Sequence, residues 1–343
     1  MSKNQIIINQ MPLLKGYSNS VAFGKARNDI NRIAEKNGIL VKNVICKFYK
    51  LPFMTTINVL RQYARLISNI GSGNDIVVQY PESCPKAFPW AIKMLHNSHN
   101  NVTLFIHDID SFRYNGDISK EVEALNRVDS LIVHTEAMAA LLKRNGVRVP
   151  MHILRLFDYL TDDAFVSEDK ILSHRKEVIF AGFLKKSEFL PSLCSHDFGD
   201  ISFNLYGIKD KNVDYNKFDG KKYCGVFDSE HTGQLVGGWG LVWDGKSIDT
   251  CAGGLGEYLR YNLSHKLSLY FAAGIPVIVW KQSSVAKLVE SEKCGIAVES
   301  LKEIPYLLDN LTNAEYLQLM LNSRKIGTKL RNGEMTMEAL RQL

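Results

Sequence analysis

Short apolar runs alternate with longer stretches of mixed polarity along the whole chain. The first half carries β-type runs at Gln5 to Asn9, Val44 to Tyr49, Asp75 to Tyr80, Val102 to Ile106, Leu131 to His134 and His152 to Leu154. Between them lie helical patterns. One runs from Gly16 to Asn37, with Ala22, Ala26, Ile30, Ile33 and Ala34 as its apolar stripe and Gly38 as its stop. Others are Thr55 to Ser68, Pro85 to Asn97, Ser119 to Ala124 and Glu136 to Arg144. The second half repeats the alternation. Its runs are Glu177 to Ala181, Ile201 to Tyr206, Tyr223 to Phe227, Gly240 to Trp243 and Val277 to Trp280. Helices are expected at His231 to Val236, from His265, at Leu301 to Asn310, at Asn313 to Leu330 and at Met335 to Leu343. Strand and helix in alternation predict βαβ units on parallel sheets, hence the α/β class.

The polar stretch Asp158 to Lys176 interrupts this rhythm and reads as the connection between two domains. At 343 residues, two domains also suit the chain better than one core. The expected boundaries are 1–157, 158–176 as connection, 177–318, and 319–343 as C-terminal helices that can pack back on the first domain.

The stretch Tyr258 to Val289 is the most informative. Ser264 is placed to cap a helix starting at His265, and Leu267, Tyr270 and Phe271 give that helix a buried face. Gly274 and Pro276 end it, and Val277 to Trp280 follows as a strand covered on both faces. Ser283 or Ser284 is placed to cap the next helix. Lys266 breaks the local rule. A cation in the first helical turn meets the positive end of the dipole, at a cost of roughly 0.3–1 kcal/mol. With His265 and unpaired backbone N–H groups it makes an anion site, most naturally for phosphate. The plain alternative is a solvated lysine on a surface helix.

Other candidates sit at strand ends, where open α/β sheets collect ligands. FIHDIDSFR brings His107, Asp108, Asp110 and Arg113 to the end of one run. Asp108 and Asp110 are candidate bases or acceptor contacts. Their D-x-D spacing also matches a divalent-metal pair, since hard cations prefer oxygen ligands. His134 ends the next run, with a packed histidine as the plain alternative. The loop Leu13 to Ser20, including Gly16, follows the first run and is a candidate acceptor site. In the second half, Lys186, Tyr206 and Asp244 follow strand ends, and Tyr206 is placed to stack on a base. The segment DTCAGGLG (249–256) reads as a mobile loop.

Composition narrows the partners. The net charge of +6 is mild and reads as diffuse. It favours a phosphate-bearing substrate or an anionic membrane surface, and no basic stretch interleaved with aromatics suggests nucleic acid. No apolar run is long enough for a transmembrane helix, and the apolar part of MSKNQIIINQ is too short for a signal peptide. The six cysteines are scattered without C-x-x-C and read as packing thiols in a cytoplasmic protein.

YNLSHKLSLYFAAGIPVIVW (261–280) resembles the Asn-x-x-His-Lys and Gly-x-Pro-Val-Ile pattern of bacterial galactofuranosyltransferases. It is also similar to the accessory glucosyltransferase that extends GlcNAc-modified serine-rich adhesins. KARND (25–29), FIHDIDSFR (105–113), LIVHTEAM (131–138), IFAGFLKKSEFL (179–190), LYG (205–207) and GLVWDG (240–245) support the resemblance in order along most of the chain. Leu263 departs from it, standing where the pattern has proline.

The resemblance implies a GT-B fold, with two Rossmann-like domains facing each other across a cleft. It implies a UDP-hexose donor bound by the second domain, with UDP contacts at Lys186, Tyr206, Asn262, His265 and Lys266. Asp244 and Tyr261 complete the expected donor set. Gly16, Lys25, His107 and Arg113 form the expected acceptor side. It further implies no cofactor, no metal, and a homo-oligomer, tetramer or dimer. The expected activity is hexose transfer to a sugar acceptor, GlcNAc on a serine-rich glycoprotein. Alternatives are galactofuranosyl or hexosyl transfer to a lipid-linked polysaccharide intermediate, with peripheral membrane contact, a D-x-D metal-using transferase, and a non-catalytic subunit of the same fold.

Overall fold

In the first half, β1 (Gln5–Pro12), β2 (Leu40–Cys46), β3 (Asp75–Tyr80), β4 (Asn101–Ile106), β5 (Ser130–Val133) and β6 (Met151–Ile153) form one sheet. Its order is β2-β1-β3-β4-β5-β6. In the second half, β7 (Glu177–Ala181), β8 (Ser202–Tyr206), β9 (Lys221–Gly225), β10 (Trp239–Val242), β11 (Val277–Trp280) and β12 (Gly295–Val298) form another, in the order β12-β11-β10-β7-β8-β9. Every strand pairing is parallel. These statements come from a computed structural model that describes residues 4–13, 24–114, 116–209 and 220–343. Gly16, Ala22 and most of the loop before the first helix lie outside the described residues.

The chain divides into two units. One comprises Met1–Arg155 together with Met335–Leu343, the other Leu156–Glu334. Central strands are apolar on both faces, as helix-covered parallel sheets require. Ile6, Ile7 and Ile8 of β1 and Val277, Ile278 and Val279 of β11 are all buried. In the first unit, α1 (Lys25–Lys36), α2 (Pro52–Ile70) and α3 (Phe88–Asn97) connect strands. The crossover from β1 to β2 and that from β2 to β3 run in opposite directions across the sheet. Right-handed connections therefore put α1 on one face and α2 on the other, and α2 packs on α3.

In the second unit the helix His265–Ala273 lies between the sheet and the long helix Asn313–Asn332. Tyr270 fastens it to the sheet. Its hydroxyl accepts the Ala181 N–H at 2.9 Å and lies 3.3 Å from both the Ile179 and Leu241 carbonyls. Gly240 makes room for the ring, since a Cβ there would stand 2.1 Å from Tyr270 Cγ.

Several expectations shift. β2 begins at Leu40, earlier than the apolar run at Val44, and carries the half-exposed Lys42 and the exposed Asn43. An edge strand tolerates such positions because one side meets solvent. β12 has no counterpart in the sequence reading, since four residues opening on glycine carry little pattern. Gly295 is needed there, because a Cβ would sit 2.1 Å from the Val277 carbonyl oxygen. Ser264 is the N-cap residue of its helix but makes no side-chain cap bond. The helix after β11 starts only at Ala286, capped by neither Ser283 nor Ser284. The segment 249–256 leads into a short helix, Gly254–Glu257, rather than staying a loop. Within it Gly256 folds back so tightly that a Cβ would stand 2.1 Å from the Cys251 carbonyl oxygen.

Residues 158–176, expected as a connection, include the helix Glu168–Ser173 and belong to the second unit itself. Tyr159 donates its hydroxyl to the Ser229 carbonyl at 2.7 Å, and Asp163 accepts the Gly233 N–H at 2.7 Å. The last helix, Glu334–Leu340, belongs with the first unit from Met335 onward, and Gln5 donates to the Leu340 carbonyl at 2.7 Å.

Candidate functional site

The second sheet reverses its winding between β7 and β10. From β7 the chain moves outward to β8 and β9; from β10 it moves the other way to β11 and β12. The carboxyl ends of two such strands leave a crevice, the usual ligand position in an open α/β sheet. Lys266 reaches this place. Its Nζ lies 3.4 Å from the Trp243 carbonyl and 3.5 Å from Asp244 Oδ2, both just past β10. It also stands 4.9 Å from the centre of the Phe180 ring on β7. Gly182, just past β7, gives the side chain room, since a Cβ there would come within 3.0 Å of Lys266 Cε. The lysine is therefore not a solvated surface group, its side chain being only 18% exposed.

The segment before the helix is tethered from the turn that follows β11. Ser284 donates its hydroxyl to the Asn262 carbonyl at 2.7 Å, and its N–H goes to the Leu259 carbonyl. Asn262 Oδ1 is buried and has no hydrogen-bond partner among the described residues. A buried acceptor left unsatisfied costs roughly 1–3 kcal/mol and calls for an explanation, such as a ligand donor. His265 packs its ring against Tyr159 at 5.0 Å and Phe157 at 6.0 Å between centroids. Ser268 ties the same segment to the helix by donating to the Phe157 carbonyl at 2.7 Å.

The other expected donor residues differ in exposure. Lys186 is exposed on the turn after β7, with Nζ 5.6 Å from the Phe183 ring. Tyr261 is half-buried beside Asn262. Tyr206, at the end of β8, is buried; its hydroxyl accepts the Val236 N–H at 3.0 Å and its ring meets Phe227 edge-on. Burial pushes its hydroxyl up to about 12.

The first sheet reverses between β1 and β3. Here the structure gathers a polar cluster that the sequence reading saw only in part. Glu82, just past β3, is buried; Tyr63 of α2 donates to its Oε1 and the Gln10 amide approaches its Oε2 at 3.4 Å. Burial pushes the Glu82 carboxyl up to about 7, although the Tyr63 hydroxyl and the Arg27 charge pull it down. Arg27 donates to the Gln79 carbonyl at 3.1 Å and the Pro81 carbonyl at 2.5 Å. Gln79 joins the Asn31 carbonyl oxygen of the side chain at 2.7 Å to His107 Nε2 at 2.8 Å.

Asp108 pairs with Arg113 at 2.7 Å. Burial pushes its carboxyl up to about 6 against the pull of Arg113. Asp110 is exposed and opens the next short helix. The two carboxylates of the D-x-D pattern thus have different surroundings. Lys25 is buried in an ion pair with Asp29 at 2.8 Å. His134 is buried, with Nε2 3.1 Å from the Ile106 carbonyl oxygen, and burial pushes its pKa down to about 4. It is a neutral packed histidine at pH 7. Glu82 and Gln79 escaped the sequence reading, although Glu82 follows a strand end in the same way as Asp108 does.

Known proteins resemble the chain in sequence and in fold. The family described as "Glucosyltransferase 3-like, N-terminal domain" matches residues 2–156, and its "C-terminal domain" counterpart matches residues 178–343. The chain is 31% identical over 242 residues to the beta-1,6-galactofuranosyltransferase WbbI of Escherichia coli (strain K12), covering 69% of each chain. It is 26% identical over 322 residues to glucosyltransferase 3 of Streptococcus gordonii, covering 92% of each. The fold matches the sucrose-phosphate synthase of Thermosynechococcus elongatus with a TM-score of 0.71 at 14% identity, over 99% of this chain and 98% of that one. With two parallel sheets, each reversing its winding, and sequence likeness over both units, the chain belongs to the glucosyltransferase 3-like family of GT-B glycosyltransferases.

Proposed function

We propose that the enzyme transfers a hexose from a UDP-sugar to a sugar hydroxyl, without a metal ion, with the donor held by the second unit. The observation that carries this reading is Lys266. Its cation sits at the reversal between β7 and β10 and at the first turn of the His265 helix. A departing UDP develops negative charge on its diphosphate, and a fixed cation with helix N–H groups stabilises that charge without reorganising. Asn262 Oδ1 suits a donor from the sugar or the base. Tyr261, His265, Lys186 and Tyr206 complete the donor side, and Asp244 orients Lys266.

The first unit supplies the acceptor contacts. A carboxyl near neutrality is suited to accept a proton from a hydroxyl, and Asp108, at about 6, fits that role. Arg113 holds it in place; His107, Lys25 and Asp110 belong to the same side, and Gly16, expected there from the sequence, lies outside the described residues. GlcNAc on a glycoprotein is the acceptor that the family resemblance implies, with a lipid-linked polysaccharide intermediate as the alternative; the relatives' names support glucosyl or galactofuranosyl transfer. Work in the cytoplasm as a homo-oligomer agrees with either.

The test is UDP release from UDP-glucose, UDP-galactose, UDP-GlcNAc and UDP-galactofuranose, with a GlcNAc-peptide and a lipid-linked sugar as acceptors. Lys266→Ala is expected to lower kcat/KM by roughly 10²–10³-fold, the usual loss for a charge-stabilising donor. Undiminished turnover in that variant would contradict the site. Chelation by EDTA is expected to leave the rate unchanged, and a rate restored only by a divalent cation would overturn the metal-independent reading.

A further inference from the structure

The chain's positive charge is concentrated on one part of the first unit, rather than diffuse. Between Lys36 and His107 stand seven lysines and arginines but only two acids, Asp75 and Glu82. Glu82 is buried, and Asp75 lies at the start of β3, the opposite end of the sheet from the β2–α2 turn. Lys47, Lys50, Arg61, Arg65, Lys86 and Lys93 are all exposed.

The same region exposes large apolar side chains. On the turn after β2 and the first turns of α2, Phe48 is 56% exposed, Leu51 53%, Phe53 58%, Met54 42% and Ile57 43%. Trp90, on the neighbouring α3, is 59% exposed. Contiguous apolar surface of this kind marks an interaction site, and a rim of cations narrows the partner. The turn is held in place, since Tyr49 N–H donates to Thr55 Oγ1 at 3.0 Å. The edge of β2 is blocked against strand addition at its end: the Gln62 side chain takes both the Ile45 N–H, at 2.8 Å, and the Ile45 carbonyl, at 2.7 Å.

We propose that this surface docks the enzyme on an anionic phospholipid bilayer. Phe48, Leu51, Phe53, Met54 and Trp90 enter the headgroup boundary, and Lys47 and Lys50 on the same turn meet lipid phosphates. A second copy of the chain would bring the same cations against each other, which opposes self-association through this face. The proposal names the surface for the membrane contact and does not depend on the transfer reaction, because vesicle binding and UDP release are separate readouts.

The experiment is co-sedimentation of the full chain with vesicles of phosphatidylcholine alone or mixed with phosphatidylglycerol. Binding is expected only to the mixed vesicles, and it should weaken about tenfold or more when salt is raised to about 0.5 M. Phe48→Ser with Phe53→Ser, and separately Lys47→Glu with Lys50→Glu, are expected to abolish binding while leaving thermal stability and UDP release unchanged. Lys47→Arg with Lys50→Arg should keep it. Equal binding to both vesicle types, no binding to either, or a phenylalanine variant that lowers the oligomeric state without changing lipid binding would each overturn the proposal.

Discussion

Glu82 is a carboxyl kept from water beside Tyr63 and Gln10. Its pKa is about 7 in the folded chain against about 4.3 in an unfolded one. Between those values the folded chain holds a proton that the unfolded chain has lost. This group's contribution is therefore fully present below the unfolded pKa and is lost as pH rises through about 7. Glu82→Gln keeps the shape and removes the titration. Wild type is expected to lose more thermal stability than this variant between pH 5 and pH 8, by up to about 3 kcal/mol; parallel melting profiles would refute it. Asp108 makes the corresponding kinetic statement. If it is the base, kcat/KM rises with pH through about 6, and Asp108→Asn removes that limb.

The His265 helix shows how far one element is written in its own residues. Its start, its left-handed Gly274 and the strand Val277–Trp280 all follow from local pattern. What the helix rests on does not. Tyr270 lies against a glycine thirty positions earlier, on a strand whose only local signal is an apolar run. Gly240→Ala is expected to destabilise the second unit by about 1–3 kcal/mol or more through overpacking, read as a lowered Tm. Tyr270→Leu in the same chain should recover part of that loss. The N-cap expectation at Ser264 failed in part: serine occupies the cap position, but its hydroxyl makes no cap bond.

For the whole molecule, sequence order and unit membership part company at the C-terminus. The last nine residues belong with the first unit, where Thr336, Ala339 and Leu340 are buried and Leu340 accepts from Gln5. Removing residues 335–343 is expected to raise amide exchange in β1 and β3 while leaving β10 and β11 protected. Faster exchange in the second sheet instead would contradict that assignment. The basic and apolar face of α2 and α3 is likewise a property of the folded unit, since its residues are spread over a long stretch that reads as ordinary α/β sequence.

The alternation of apolar runs and amphipathic stretches by itself determined the α/β class and the parallel strands, because strand and helix periods are local and need no partner; the family resemblance rested on short motifs, which are local too. Local order also marked Lys266 as out of place. Strand order is a different matter. Which strands become neighbours depends on helices packing over distant segments, so only the tertiary structure put the ends of β7 and β10 together around Lys266. For the same reason Glu82, silent in the sequence, gained a raised pKa only once α2 and β1 had closed over it.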